Sequence, residues 1–171
     1  IDNQPSHTLV QNAIGSLACM THRGAIAADG LSGDGCGLLF KKPDAFLRAV
    51  AGDAGFKLGD LYAAGLVFLS RDAAPQAHAR ATLKAALEAQ GLVVAGFRLV
   101  PTDSSVCGES ALASLPHIEQ VFVNAPAGLS EDDFERKLYI ARRQAEKTLE
   151  PSDPVFYLPT LSCRVISYKG L

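Results

Sequence analysis

The order of strand-like and helical patterns over residues 62–169 constrains the fold of this chain more than any other feature of its sequence. Apolar runs alternate there with longer segments whose apolar residues recur at helical spacing. Strands are predicted at residues 62–69, 92–100, 118–124, 155–161 and 164–169, and helices at residues 74–90, about 109–115 and 130–149. The last two strands are predicted to pair with each other. This order is typical of a split β-α-β unit with antiparallel pairs, so we predict an α+β fold with a ferredoxin-like βαββαβ portion over residues 62–171.

The front of the chain adds two helices and a short strand. Ser6 is a residue type that caps helices, and the apolar residues that follow it recur along one helical face. We therefore predict a helix at residues 7–20 that packs on a sheet. Residues 38–40 are a candidate buried strand, and Pro43 fits the first turn of a helix that ends near residue 50.

The composition excludes several classes of function. With 48% apolar and 20% charged residues, the chain is globular. Its net charge of −2 leaves no basic stripe to neutralise phosphates, so nucleic acid is not expected as a partner. No apolar run reaches the roughly 18 residues of a membrane span, and no signal-peptide pattern is present. We therefore expect a cytoplasmic protein, no membrane partner and reduced cysteines.

Residues 20–40 hold the densest cluster of glycine and reactive residues in the chain. Four glycines fall within eight positions, at Gly30, Gly33, Gly35 and Gly37. The stretch lacks the Lys-Ser/Thr ending of a phosphate-binding loop, a strand rather than a helix follows it, and the acidic Asp34 would repel phosphate. The glycines are therefore predicted to serve backbone geometry.

Residues in or next to this stretch, together with Cys107 farther along the chain, are candidates for metal and thiol chemistry. Cys19, His22 and Cys36 could supply three ligands, but a structural zinc site needs four and no fourth has a typical spacing. The alternative, which we favour, is that Cys19 lies in the core face of the first helix. Cys36 and Cys107 are the thiols predicted on loops, and the sequence around them shows no base that would activate either thiol. We therefore predict no metal site.

Several motifs of the chain, taken in order, resemble the front of the large subunit of glutamate synthase. They are Pro5-Ser6-His7, Met20-Thr21-His22-Arg23-Gly24-Ala25, Ala28-Asp29-Gly30, Gly33-Asp34-Gly35-Cys36-Gly37, Ala141-Arg142-Arg143 and Tyr168-Lys169-Gly170-Leu171. The resemblance covers essentially the whole chain. The His-Arg-Gly element alone is shared more widely among class II glutamine amidotransferases. Without the resemblance, the Arg142-Arg143 pair is most simply a solvated helix face.

The resemblance implies part of an N-terminal-nucleophile hydrolase domain over residues 1–171, an αββα sandwich in which residues 1–42 form a core segment. In that family a cysteine at the mature N-terminus attacks the amide carbon of glutamine, with its own α-amino group as base, and ammonia leaves as a thioester forms. Elsewhere in the full polypeptide the ammonia reacts with 2-oxoglutarate, and the imine is reduced by electrons passing through FMN and an iron–sulfur cluster. For the parent protein the resemblance implies NADPH, NADH or ferredoxin as electron donor, and the rest of the large subunit and a small electron-transfer subunit as partners. It implies no cofactor in this chain.

The chain departs from the family pattern at the nucleophile. Ile1 is not a cysteine, and none of the four cysteines present can be carried over to that role. The family's Cys-Gly strand would lie upstream of Ile1, and its Asn-Gly oxyanion element and its arginine for the glutamine carboxylate would lie downstream of Leu171. We therefore expect a front fragment of a glutaminase domain, cut at both ends and without glutaminase activity of its own.

Arg23 and Gly24 are the site residues that the resemblance carries over. In the family this arginine lies beside the nucleophile and helps to order the site, a task that suits a guanidinium with five fixed donors and a permanent charge. The alternative is that Arg23 only ties its loop to backbone carbonyls. Residues 33–37 are expected to form the turn into the strand behind the site, with Cys36 as a bystander.

A second hypothesis belongs to a different class of function. Residues 62–171 could form a stand-alone ferredoxin-like module that binds a small ligand or a partner. This hypothesis rests on element order alone, and a fold does not by itself give a function.

Overall fold

The computed structural model describes residues 4–20, 24–33 and 35–170. Its elements, numbered in chain order, are α1 (His7–Cys19), β1 (Cys36–Lys41), α2 (Asp44–Asp53), β2 (Tyr62–Leu69), α3 (Ala73–Ala89), β3 (Val93–Leu99), α4 (Glu109–Ser114), β4 (His117–Asn124), α5 (Glu131–Leu149), β5 (Leu161–Ser162) and β6 (Val165–Gly170). Every predicted helix is present, with bounds close to those predicted. None of the described helices is long and apolar enough to cross a membrane.

The larger of two compact units comprises residues 39–102 and 116–168. Its centre is a four-stranded sheet in the order β3–β4–β2–β5, in which every neighbouring pair is antiparallel. The longest ladder runs from Tyr62 opposite Asn124 to Leu69 opposite His117. Because α3 joins β2 to β3 and β4 lies between these two strands, this is the strand order of a split β-α-β unit. The predicted α+β class is confirmed.

Apolar clusters cover both faces of this sheet. Successive side chains of a strand point to opposite faces, so β2, which is buried along nearly its whole length, contributes to both clusters. On one face the large, fully buried helical side chains are Leu83 and Leu87 of α3 and Phe134, Leu138 and Leu149 of α5. On the other face α2 contributes Leu47 and Ala51, which pack with Tyr62, Ala64, Phe122 and Ile166. Burial of each large apolar side chain in these clusters stabilises the folded state by roughly 1.5–3 kcal/mol relative to leaving it exposed.

The C-terminal strands differ from the prediction. Residues 155–161 are not a strand: Tyr157 forms an isolated antiparallel bridge with Phe68, and β5 begins only at Leu161. β5 pairs with β2, and β6 pairs with β1 in a separate two-stranded sheet, so the predicted pairing of the last two strands with each other is wrong. Proline has no N–H for a ladder, and Pro159 falls inside the predicted strand. Asp153 also holds the preceding turn, because its Oδ1 accepts hydrogen bonds from the two amides at residues 155 and 156.

The smaller unit comprises residues 1–38, 103–115 and 169–171. Its first helix, α1, begins as predicted at Ser6, whose Oγ accepts a hydrogen bond from the amide of Leu9 at 3.3 Å. No residue of α1 is buried, so its predicted packing on a sheet is not observed in the described part of the chain. The same unit holds the loop at residues 24–33 and the short helix α4.

Candidate functional site

The predicted site residues fall at the edge of the described chain. Gly24 is exposed and opens the described loop at residues 24–33. Arg23, like His22 and Asp34, lies outside the described residues. The geometry of the site therefore begins with the loop that follows the His-Arg-Gly motif.

This loop folds back on itself as a short antiparallel turn. Ile26 and Gly33 form an antiparallel bridge, and the amide of Ala27 donates a hydrogen bond to the carbonyl oxygen of Ser32 at 2.8 Å. At the tip, the amide of Gly30 donates to the carbonyl oxygen of Ala27 at 3.0 Å, and Gly30 has a φ of 70°. A residue with a side chain is strained at that φ, so the prediction that glycine serves backbone geometry holds at this position.

Asp29 organises the tip of the loop. Its Oδ1 accepts hydrogen bonds from the amides of Leu31 at 3.0 Å and Ser32 at 2.8 Å, and its Oδ2 accepts one from the Ser32 hydroxyl at 2.6 Å. These bonds, the Ser32 hydroxyl foremost, hold the pKa of the Asp29 carboxyl well below its usual range. Asp29 is therefore a carboxylate at any working pH.

Two further hydrogen bonds connect the same side chains to the start of α4. The amide of Ala111 donates to Ser32 Oγ at 3.1 Å, and the amide of Ser110 donates to Asp29 Oδ2 at 3.4 Å. The first amides of a helix have no partner within the helix, and these two find one in the loop. The sequence analysis missed this connection, because Ala111 follows Ser32 by 79 residues and nothing local in the sequence couples the two.

Of the residues considered for metal and phosphate binding, those that the structure describes do not form a metal site. Cys19 and Cys36 are both exposed, so the expected burial of Cys19 in a core face is wrong. Among the residues that the structure describes, no group of three or more His, Cys, Asp or Glu side chains could hold a metal ion. As predicted, a strand rather than a helix follows the glycine-rich stretch, since β1 starts at residue 36.

Cys163, the one buried cysteine, is a thiol of low reactivity. Cys163 is 6% exposed, and its amide donates to Glu135 Oε1 at 2.6 Å. Burial raises the pKa of the Cys163 thiol to about 12, and the Glu135 carboxylate acts in the same direction. Almost no thiolate is present near neutral pH, so Cys163 is a poor nucleophile.

The Arg142-Arg143 pair lies on α5 and is matched by a single carboxylate. Arg142 Nε donates to Glu146 Oε1 at 2.7 Å, and Arg143 donates to the other oxygen of Glu146. The spacings of four and three residues are those at which side chains meet on one helix face. The pair therefore supports α5 locally, in agreement with the simplest interpretation of the sequence.

Comparison with known proteins decides the family. The sequence model described as "Glutamine amidotransferases class-II" matches residues 1–171, which is the whole chain. The chain belongs to the class-II glutamine amidotransferases. This membership confirms the family that the ordered motifs indicated.

Relatives of this amidotransferase chain have the names of glutamate synthases. It is 39% identical to "Ferredoxin-dependent glutamate synthase 2" of Synechocystis sp. over 98% of this chain and 11% of that protein. It is 35% identical to the large chain of the NADPH glutamate synthase of Bacillus subtilis over 100% of this chain and 11% of that protein. The corresponding large chain of Azospirillum brasilense is 37% identical over 100% of this chain and 12% of that protein. The chain thus spans 11–12% of the length of these curated relatives.

Proposed function

We propose that this chain is part of the glutaminase domain of a glutamate synthase large chain. The parent protein would hydrolyse glutamine to glutamate and ammonia, and the ammonia would serve the reductive amination of 2-oxoglutarate. One observation carries the proposal: the match to class-II glutamine amidotransferases extends over residues 1–171, and the named relatives align with the chain over nearly all of it. The division into a core segment at residues 1–42 and a βαββαβ portion at residues 62–171 belongs to the same proposal.

The proposed nucleophile is a cysteine at the mature N-terminus of the parent, upstream of Ile1. Its sulfur would form a bond to the amide carbon of glutamine, and its α-amino group would take the thiol proton and pass it to the departing ammonia. Water would then cleave the thioester, releasing glutamate and restoring the thiol. The raised pKa of Cys163 makes this buried thiol unsuited to the role. On this proposal, the chain alone has no glutaminase activity.

Arg23 and Gly24 are proposed to order this site. Gly24 begins a loop whose backbone is tied at its tip and base by the contacts described above. A guanidinium held at the start of such a loop can donate several hydrogen bonds in a fixed geometry. The alternative role of Arg23, that it ties the loop to backbone carbonyls, would also fix the position of Gly24.

The redox half of the reaction is assigned to other parts of the parent. We propose FMN and an iron–sulfur cluster there, with NADPH, NADH or ferredoxin as electron donor, a small electron-transfer subunit as partner and a cytoplasmic location. The names of the relatives include ferredoxin and NADPH. On this proposal, the chain itself holds no cofactor.

The test uses the full-length parent protein and measures ammonia release from glutamine. Arg23→Ala should reduce kcat by roughly 10²-fold, and Arg23→Lys should not restore it, because lysine keeps the charge but loses the planar set of donors. The matched control is Arg136→Ala, which removes an exposed arginine of α5 that pairs with Asp133. An unchanged rate in Arg23→Ala would remove Arg23 from the site. Parental codons that do not encode Cys-Gly just before this segment would refute the assignment itself.

The stand-alone ferredoxin-like module is not favoured. It would require residues 62–171 to act independently of the front of the chain. The family match instead runs through both parts without a break.

A further inference from the structure

The tie between the loop at residues 24–33 and α4 points to a role beyond local turn geometry. Asp29 Oδ1 accepts only from amides two and three residues ahead, as any turn-forming aspartate can. Asp29 Oδ2 and Ser32 Oγ instead accept from amides of α4, about 80 residues along the chain. We infer that Asp29, Ser32 and Gly108, together called the Asp29 latch, position Gly24 for glutamine hydrolysis. This inference rests on the proposed function.

Gly108 belongs to the latch because only a glycine leaves room for it. Its φ of −72° is open to any residue, so backbone conformation does not require glycine at this position. A Cβ built at Gly108 would overlap Asp29 Oδ2 and would lie 2.6 Å from Ser32 Oγ. Real Cβ atoms do not approach other atoms so closely. A side chain at Gly108 would therefore push both latch side chains away from α4.

The loop transmits such a displacement to Gly24. The carbonyl of Ser32 holds the amide of Ala27 at 2.8 Å, and the next residue, Gly33, is bridged to Ile26. The two sides of the loop are so close that a Cβ at Gly33 would lie 3.2 Å from the carbonyl oxygen of Ala25. Ser32 cannot shift away from α4 without moving the opposite side, which begins at Ala25 and Gly24. Asp29, Ser32 and Gly108 are thus positioning residues rather than catalytic ones.

Two variants open the latch by different means in the full-length parent protein. Gly108→Ala places one methyl group against Asp29 Oδ2 and Ser32 Oγ, so both side chains must leave the amides of α4 and the loop loses its connection to that helix. Asp29→Asn keeps an oxygen for the local amides but replaces the other acceptor with an NH₂ group. The matched control is Gly52→Ala in α2, where a Cβ would meet nothing within 4 Å.

Both latch variants should lower kcat for ammonia release by about 10–100-fold, since small displacements of a catalytic loop cost this much. KM for glutamine and the melting temperature should stay close to those of Gly52→Ala, because the contribution is made in the transition state and not to overall folding. Hydrogen exchange at the amides of Ser110 and Ala111, which donate to Asp29 Oδ2 and Ser32 Oγ, should quicken in both variants. A change that is only structural would lower the melting temperature and leave kcat per folded molecule intact.

The outcomes separate this inference from the proposed function. If the wild-type parent releases ammonia and both variants show faster exchange with kcat unchanged, the latch exists but does not position the site, and the inference is overturned. If exchange at these amides is as slow in both variants as in the wild type, the latch does not hold the loop. That result also overturns the inference. If the wild-type parent releases no ammonia from glutamine, the proposed function itself fails. Should Gly108→Ala not fold, Asp29→Asn decides by the same measurements.

Discussion

Replacing Arg80 with alanine should destabilise the larger unit, because it removes the main partner of a buried carboxylate. Glu119 on β4 is 5% exposed. Arg80 Nε donates to Glu119 Oε2 at 2.7 Å, and Arg80 Nη2 donates to Glu119 Oε1 and to Gln76 Oε1. His117 Nε2 lies 3.0 Å from Glu119 Oε1 and would be the carboxylate's remaining side-chain partner.

The magnitude follows from the exposure of the two charges. Breaking a fully buried ion pair by removing one partner costs about 3–5 kcal/mol. The side chain of Arg80 is 33% exposed, so water can partly replace it and the cost is discounted. We expect Arg80→Ala to lower the free energy of unfolding by about 2–4 kcal/mol near pH 7.

The sign of the pH dependence adds a second check. Burial raises the pKa of Glu119, but hydrogen bonds from Arg80 and then His117 outweigh it and leave the pKa below its ordinary value. Glu119 therefore contributes stability above the unfolded carboxyl pKa of about 4.3, and that contribution is lost as the pH falls through the lower folded pKa. In Arg80→Ala burial dominates, so the folded carboxyl is protonated more readily. The stability gap between the two proteins should thus be largest near pH 7 and should narrow towards pH 4.

Urea unfolding followed by circular dichroism at pH 7 and at pH 4 measures the free energy of unfolding of each protein and its change with pH. The matched control is Arg98→Ala, because Arg98 Nη1 donates at 3.0 Å to Gln120, a buried neutral neighbour of Glu119 on β4. This variant should cost about 1 kcal/mol with little pH dependence. The double variant of Arg80→Ala with Glu119→Gln should recover much of the loss, because no buried charge is then left unpaired. The reasoning is refuted if Arg80→Ala costs no more than Arg98→Ala, or if its cost is the same at pH 4 and pH 7.

Two further predictions concern close packing at β5 and the residue that follows it. Gly65→Ala should lower the free energy of unfolding by about 1–3 kcal/mol in urea titrations. The reason is that its Cβ would overlap the carbonyl oxygen of Thr160 and lie 3.1 Å from Leu161 Cα. Unchanged stability would mean that residues 160–161 can move away from β2. At pH 8 an alkylating reagent should modify the exposed Cys36 and spare Cys163 until the protein is denatured, because burial raises the pKa of Cys163 to about 12. Peptide mapping by mass spectrometry checks this, and equal modification of both thiols in the folded protein would contradict it.

The parts of the fold that could be predicted are those whose signal is local. β2 has the predicted bounds and α5 begins one residue later than predicted, because the apolar run of β2 and the helical stripe of α5 are each complete within the segment. The cap of α5 was also predictable, since Ser130 Oγ accepts from the amide of Asp133 three residues ahead. The pairing of the C-terminal strands was not, because apolar runs of similar length do not say which strand each will join. The bridge that Tyr157 makes with Phe68 depends on a partner about 90 residues away.

The same distinction separates the two kinds of glycine in the candidate site. Gly30 could be interpreted from its neighbours, because a cluster of glycine and aspartate predicts a turn, and its φ of 70° fits one. Gly108 could not, because its backbone is ordinary and its reason for lacking a side chain lies in Asp29 and Ser32. Hydrophobic periodicity reports which residues become buried, whereas the position of this loop depends on polar contacts between segments remote in sequence. A family motif can therefore single out the loop of a candidate site from the sequence, but the residues that contact that loop from elsewhere in the chain emerge only when both segments are seen together.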